Sequence, residues 1–311
     1  MGVIEPGLTR RAVLKGAAGA AGVLVAAPVW SFAGQGVDAA SMVRLHDDLF
    51  LVQMPGEQNV IAQTGPDGVL LVDGGSARGS AGLLKAVAGL PGGGQVHTLF
   101  NTHWHPEVTG SNETLGGMGR PIIAHENTRL WLTTDVTWSW NGQRFARLPK
   151  VAHPTKTFFT TDALPSGVRY GHIPDAAHTD GDLYVHFPAA NVLAVGDVVS
   201  GQGWPVVDWA TGGWIGGMVG GLQRVLALTT DDQTRIVPGR GPVLSIADVT
   251  RQYEMYARLY ERLTTLLNRG RGPEEAVAAR PAKEYEAVMG PSDEFVRRSF
   301  ESLWAYLSPD A

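Results

Sequence analysis

The chain has 311 residues, with 25 lysines and arginines against 30 aspartates and glutamates, and no cysteine. A formal charge of −5 argues against nucleic acid or an anionic membrane as partner. Without thiols, neither a disulfide nor a thiolate-held metal can contribute. A hydrophobic share of 44% supports one large domain, or a domain with an appendage.

Residues 1–33 read as a targeting segment. Arg10 and Arg11 precede an Ala/Gly-rich apolar stretch, Gly16 to Ala27, that is too short to be a good membrane span. Ser31-Phe32-Ala33 is a small-x-small cleavage candidate. The pattern resembles a twin-arginine export signal. That route carries folded proteins, so a metal can be loaded before export. It implies a periplasmic or secreted protein; a cytoplasmic protein with a basic start and an uncleaved anchor are the alternatives. Cleavage removes Arg10, Arg11, Lys15 and Glu5, leaving 22 basic and 29 acidic side chains and a charge near −7. The mature form is expected to meet a small-molecule substrate, with no nucleic acid and no membrane as partner.

Val43 to Met54 and Val60 to Gln63 read as antiparallel strands joined at Pro55-Gly56, and Val69 to Val72 as a strand after the turn Pro66-Asp67-Gly68. Ser80 to Leu90 has helical spacing, and Val96 to Phe100 is a short β-branched run expected as a buried strand. Pro121 to His125 is a strand candidate and Glu126 to Leu132 a helix. Thr133 to Thr157 lacks a clear period and holds Trp138, Trp140 and Phe145. Leu183 to Phe187, Val192 to Val195 and Ile236-Val237 are further strands. A glycine-rich segment, Thr211 to Gly221, precedes a helix over Leu222 to Leu228. From Ser245 onward the chain is helical, with Ser245 as a capping candidate and an apolar stripe at Tyr256, Leu259, Tyr260, Leu263 and Leu267.

The stretch Asn101 to Asn112 reads NTHWHPEVTGSN and follows the Val96–Phe100 run. In an extended segment, residues two apart point the same way, so His103 and His105 would converge on one point. Two imidazoles and a third ligand suit zinc, with a fourth position left for water; a solvated loop is the bland alternative.

This stretch resembles the metal-binding motif of the metallo-β-lactamase fold hydrolases. Four more signals follow the family's order: Leu70-Leu71-Val72-Asp73-Gly74-Gly75, Ala177-His178-Thr179-Asp180-Gly181-Asp182, Val195-Gly196-Asp197, and Val237-Pro238-Gly239-Arg240-Gly241-Pro242. The resemblance implies an α/β fold, a four-layer αββα sandwich over 34–244, with 245–311 as a helical C-terminal extension packing on it. It also implies that His103, His105 and His178 form the first metal site, and that Asp197 is the carboxylate beside it. Asp73 then supports the histidine loop by hydrogen bonding. An insertion such as the Thr133–Thr157 segment usually lies over the active site in this fold, so Trp138 and Trp140 are candidate substrate contacts. His172 is a further candidate, near the expected cleft mouth.

The second metal site departs from the family. Glu107 stands in place of Asp, Val108 in place of His, and Arg240 in place of the last His. Valine ligates nothing, and arginine presents only donors. One Zn(2+) per chain is therefore expected, with iron possible. Arg240 is expected beside Glu107 and Asp197, supplying the positive charge of the missing ion. The reading is an exported mononuclear zinc hydrolase that attacks an ester, lactone, thioester or amide carbonyl with metal-bound water. Asp197, Arg240 and Glu107 are its catalytic candidates. A catalytically silent binding protein, or a single-iron oxygenase using His103, His178 and Asp197, are the alternatives.

Overall fold

The computed structural model describes residues 41–307. The export segment lies outside the described residues. Strands β1 (Ser41–His46), β2 (Leu49–Gln53), β3 (Asn59–Gly65) and β4 (Gly68–Val72) form an antiparallel run. The sheet continues in parallel through β5 (Val96–Phe100) and β6 (Ile122–His125). Between them come helices α1 (Ser80–Ala88), α2 (Pro106–Thr109) and α3 (Asn112–Gly117), and α4 (Glu126–Leu132) follows β6. The insertion then forms a small hairpin, β7 (Val136–Thr137) with β8 (Arg144–Phe145), before β9 (Lys156–Phe158) completes the seven-stranded sheet beside β6.

The second sheet has five strands in chain order: β10 (Thr161–Ala163), β11 (Arg169–His172), β12 (Leu183–Phe187), β13 (Val192–Gly196) and β14 (Arg235–Pro238). Helix α5 (Ile215–Ala227) connects its last two strands. The C-terminal helices are α6 (Ile246–Asn268), α7 (Pro273–Ala278), α8 (Glu286–Met289) and α9 (Asp293–Leu307). Among the described residues no helix is long and apolar enough to cross a membrane.

Strand alternation explains the layering. Leu70 and Val72 of β4 face Val192 and Ala194 of β13 in the core between the sheets. Their neighbours Val69 and Leu71 turn outward onto Leu83 and Val87 of α1. Leu193 and Val195 turn the other way, onto Met218 and Leu222 of α5, Leu259 of α6 and Phe300 of α9. Helices thus cover both outer faces, and the C-terminal helices share one core with the second sheet. Ser245 caps α6 in a reciprocal box with Asp248.

Three details differ from the sequence reading. The first expected strand is a hairpin, because Asp47-Asp48 turns the chain between β1 and β2. Strands β9, β10 and β11 are additional; β10 is fully exposed and shows no buried alternation. The second half of the glycine-rich segment is helical, since α5 begins at Ile215. A side chain at Gly217 would stand 2.0 Å from the Ala176 carbonyl oxygen, and one at Gly213 would stand 2.2 Å from that of His178. Glycine there lets α5 and its lead-in lie directly on the backbone that carries His178.

His125 caps α4, its Nδ1 accepting from Asn127 N–H, and its ring stacks on His172 at 3.6 Å. Burial and the neighbouring His172 push its pKa down to about 4, against opposing effects from Phe159 and Glu126. The unfolded chain therefore binds more protons between its ordinary value of 6.5 and about 4. Stability from this group is whole above that window and is lost as pH falls through it. His125→Asn keeps a capping oxygen. It should flatten the stability profile across that window by up to about 1.4 kcal/mol per pH unit. Urea unfolding at a series of pH values checks this, and parallel profiles for the two proteins would refute it.

Candidate metal centre

Parallel strands bring the site together at one edge of the sandwich. β4 ends at Asp73, β5 leads into Asn101–His105, β13 into Asp197, and β14 into Gly239-Arg240. The loop from 101 to 112 is closed at its ends. The amides of Asn101 and Asn112, both fully buried, exchange two hydrogen bonds of 3.0 and 2.9 Å. His105 precedes Pro106 at the first turn of α2, and its extended backbone turns the ring inward.

His103, His105 and His178 are buried, and their ligand nitrogens lie within 4.8 Å of one another. The rings stand nearly perpendicular, with centroids 4.6 to 4.7 Å apart. Each ring has one nitrogen held from behind. His178 Nδ1 donates to the Val206 carbonyl at 2.6 Å, and His105 Nε2 to Asp208 Oδ2 at 3.0 Å. Carbonyl and carboxylate oxygens only accept here, so both protons sit on the outer nitrogens. When both rings are neutral, the inner nitrogens, His105 Nδ1 and His178 Nε2, point lone pairs at each other across 3.0 Å. His103 Nδ1 lies 3.1 Å from Thr102 Oγ1, and its Nε2 is buried without a partner. Burial, with the two other imidazoles, holds the His103 pKa well below its ordinary value. Burial also opposes charge on His105, but Asp208 foremost, then Glu107 and Asp197, raise its pKa overall.

Facing lone pairs and an orphaned buried nitrogen are unfavourable unless an electropositive centre sits among them. Three neutral imidazoles are a donor set for a borderline divalent ion such as zinc. The residues present therefore fit a metal.

Asp73 accepts from Thr102 N–H at 2.8 Å and from the Thr102 hydroxyl at 2.9 Å. It turns the chain at a φ of 65°, a conformation aspartate tolerates better than most residues. With Asp73 ionised, Thr102 Oγ1 is left to accept from His103 Nδ1–H, and Nε2 faces inward. Burial pushes the Asp73 carboxyl up to about 8; a cation among the histidines would act in the opposite sense.

Asp197 Oδ2 lies 3.8 Å from His178 Nε2 and accepts from Gln58 Nε2 at 3.1 Å. Space for this carboxylate depends on Gly239, where a Cβ would stand 1.9 Å from Asp197 Oδ1. Glu107 Oε1 is 3.9 Å from His105 Nδ1 and 3.9 Å from Arg240 Nη2. Among the described residues Arg240 therefore pairs with Glu107; the amide of Gln58, not the guanidinium, holds Asp197. Half of the Arg240 side chain is exposed.

The insertion lies at the cluster: Trp138 packs 5.4 Å from His105, and Trp140 stacks on Trp138 at 4.8 Å. His172 is not brought to the three histidines. It stacks on His125, and its Nε2 bonds the Asp180 carbonyl. A cavity of about 120 Å³ lies behind Trp104, lined by Pro106, Trp131, Leu132, Phe145 and Leu148 among others. None of the histidines lines it, so it is not where a metal could act.

Asp208, Thr211, Thr102 and Gln58 escaped the sequence reading. Trp104 Nε1 donates to Thr211 Oγ1 at 3.0 Å, and Thr211 donates to Asp208 Oδ2 at 2.6 Å. Burial would raise the Asp208 carboxyl, but His105 and Thr211 outweigh it and leave its pKa below the ordinary value.

Two facing sheets with three buried histidines at their strand ends define an αββα sandwich able to hold a metal ion. The family model of the metallo-beta-lactamase superfamily matches residues 54–240, and the chain belongs to that superfamily. Its fold is similar to that of DIM-1 metallo-beta-lactamase, at 17% identity and a TM-score of 0.56, covering 70% of this chain and 97% of that one. The metallo-beta-lactamase from Pontibacter korlensis gives 18% identity and a TM-score of 0.54, covering 70% and 98%. TMB-1 gives 14% and 0.55, covering 71% and 98%. At such identities the likeness carries the fold and not the substrate. No curated protein sequence matches the chain.

Asp208→Asn removes the charge that fixes His105. Outer hydrogen-bond partners of metal ligands typically contribute about 10- to 100-fold in affinity, and a loss of that size is expected for zinc in competition with a chromogenic chelator. An affinity within twofold of the parent protein would exclude the role.

Proposed function

We propose that the protein is an exported hydrolase that uses a single zinc ion on His103, His105 and His178 against an ester, lactone, thioester or amide carbonyl. One observation carries this reading: the inward lone pairs of His105 and His178, 3.0 Å apart, beside the unpartnered His103 Nε2. When bound, such an ion supplies a Lewis acid and a water whose pKa falls toward about 7.

The chain's own groups have these parts. Gln58 N–H fixes one oxygen of Asp197, so the carboxylate is oriented to accept a proton from water on the histidine side. Arg240 and Glu107 form a loose, half-exposed pair. Glu107 lacks the arginine's full charge-assisted contact at 3.9 Å, so the guanidinium keeps donors free for an oxyanion or carboxylate of a small-molecule substrate. Trp138 and Trp140 form the wall that limits water on the insertion side.

Metal analysis of the mature protein should give one zinc per chain, because Val108 and Arg240 cannot complete a second site. Arg240→Ala should retain that zinc while losing turnover of small activated esters. Two tightly held ions per chain, or no zinc at all, would defeat the proposal.

The export reading rests on Arg10 and Arg11 ahead of the short apolar stretch. Replacing both with lysine should leave the precursor in the cytoplasm on fractionation. Unchanged export of that variant would remove the twin-arginine assignment and leave the hydrolase reading standing.

A further inference from the structure

Helix α9 lies beyond residues 54–240, the stretch that matches the family, yet it reaches the back of the histidine cluster. It packs on the turn Trp209–Thr211, which directly follows Asp208. It also holds the exit of that turn. The Ser302 hydroxyl accepts from Ile215 N–H at 3.1 Å, and Tyr306 stacks on Trp214 with centroids 3.8 Å apart and planes at 6°.

The same helix carries Arg298. Its side chain is 13% exposed, and its guanidinium carbon lies 5.5 Å from the centre of the Trp140 ring. Its ion-pair partner is Glu294, on its own helix and well exposed. The ion pair therefore gives no reason for the guanidinium to leave water. The Trp140 ring does, because cation–π attraction strengthens as both groups lose solvent, and the charges of Glu301 and Asp208 also favour the cation there. Trp140 in turn packs on Trp138 at 4.8 Å and on Trp209 at 5.4 Å, and Trp138 packs on His105 at 5.4 Å. One side chain thus stands where α9, the aromatic insertion and the Asp208 turn meet.

We propose that Arg298 is a positioning residue for the metal centre: from the C-terminal helix it latches the aromatic insertion, through Trp140, against the turn that carries Asp208, and so fixes His105. It touches neither metal nor substrate. The inference rests on the metal reading for one readout and on the insertion alone for the other.

The test uses the full mature chain with Arg298→Met, Arg298→Lys, Trp140→Leu and the Arg298→Met/Trp140→Leu double variant. The first readout is limited proteolysis of the 133–157 segment in metal-free protein. The second is Co(II) titration followed by visible absorption. Arg298→Met should raise the cleavage rate several-fold and weaken Co(II) by about tenfold, with an altered spectrum. Arg298→Lys keeps a cation over the ring and should recover most of both. The double variant should be no worse than the worse single change, because the two act through one contact. Unchanged cleavage with Co(II) affinity within twofold, or fully additive losses, would overturn the latch. Failure of the parent protein to bind Co(II) would sink the metal reading while the protease readout still decides the latch. If Arg298→Met does not fold, Trp140→Leu takes its place: it must loosen the segment, and unchanged cleavage would overturn the latch.

Discussion

The site depends on a shortage of protons. His178 Nδ1 and His105 Nε2 are committed to a carbonyl and a carboxylate, so the nitrogens that face each other at 3.0 Å have none to share. A proton between them, which Asp208 favours, would still leave His103 Nε2 without a partner. Leaving them bare sets lone pair against lone pair. A divalent cation satisfies all three histidines at once, because its charge replaces hydrogen bonds that no protein group can make there.

That shortage is imposed from outside the cluster, by parts of the chain far apart in sequence. Val206 and Asp208 come from the loop after β13, Thr102 from the end of β5, and Asp73 from the end of β4. Val206, Asp208 and Thr102 each hold one ring from behind; Thr102 is held by Asp73, Asp208 by Thr211, and Thr211 by Trp104. Ring orientation is thereby a property of the whole sandwich edge. Close contacts at Gly196 and Gly217 serve the same end. A Cβ at Gly196 would stand 2.6 Å from Thr102 Oγ1, so β13 can end against the histidine loop only with glycine there.

The sequence made the layers legible because strands buried on both faces, such as Val192 to Val195, read as continuous apolar runs bounded by turns. The histidines and Asp197 were legible because they stand in short motifs at strand ends. The outer partners were not. Val206 acts through a backbone carbonyl, which no side-chain pattern reveals. Asp208 sits in a turn without period, and Gln58 reaches Asp197 across 139 positions. The surroundings of His172 were hidden for a similar reason: β11 has no buried alternation to locate it, and its stacking on His125 is a tertiary contact. Helix α5 begins within the glycine-rich stretch, where glycine's low helix propensity conceals a packing reason for it, the His178 backbone beneath.

The changes at 107, 108 and 240 gain sense from where the charges lie. A second ion would offset both Glu107 and Asp197. The two carboxylates have different neighbours: Asp197 accepts from the neutral amide of Gln58, and Glu107 lies beside Arg240. The Gln58 amide orients the Asp197 carboxylate by a single hydrogen bond and brings no charge to it. A guanidinium at 3.9 Å from Glu107 screens that charge while retaining free donors. On the proposed reading, one carboxylate is then available for proton transfer and one cation for an anionic group. On the single-metal reading proposed above, that division of labour gives a reason for arginine, rather than a neutral residue, at position 240.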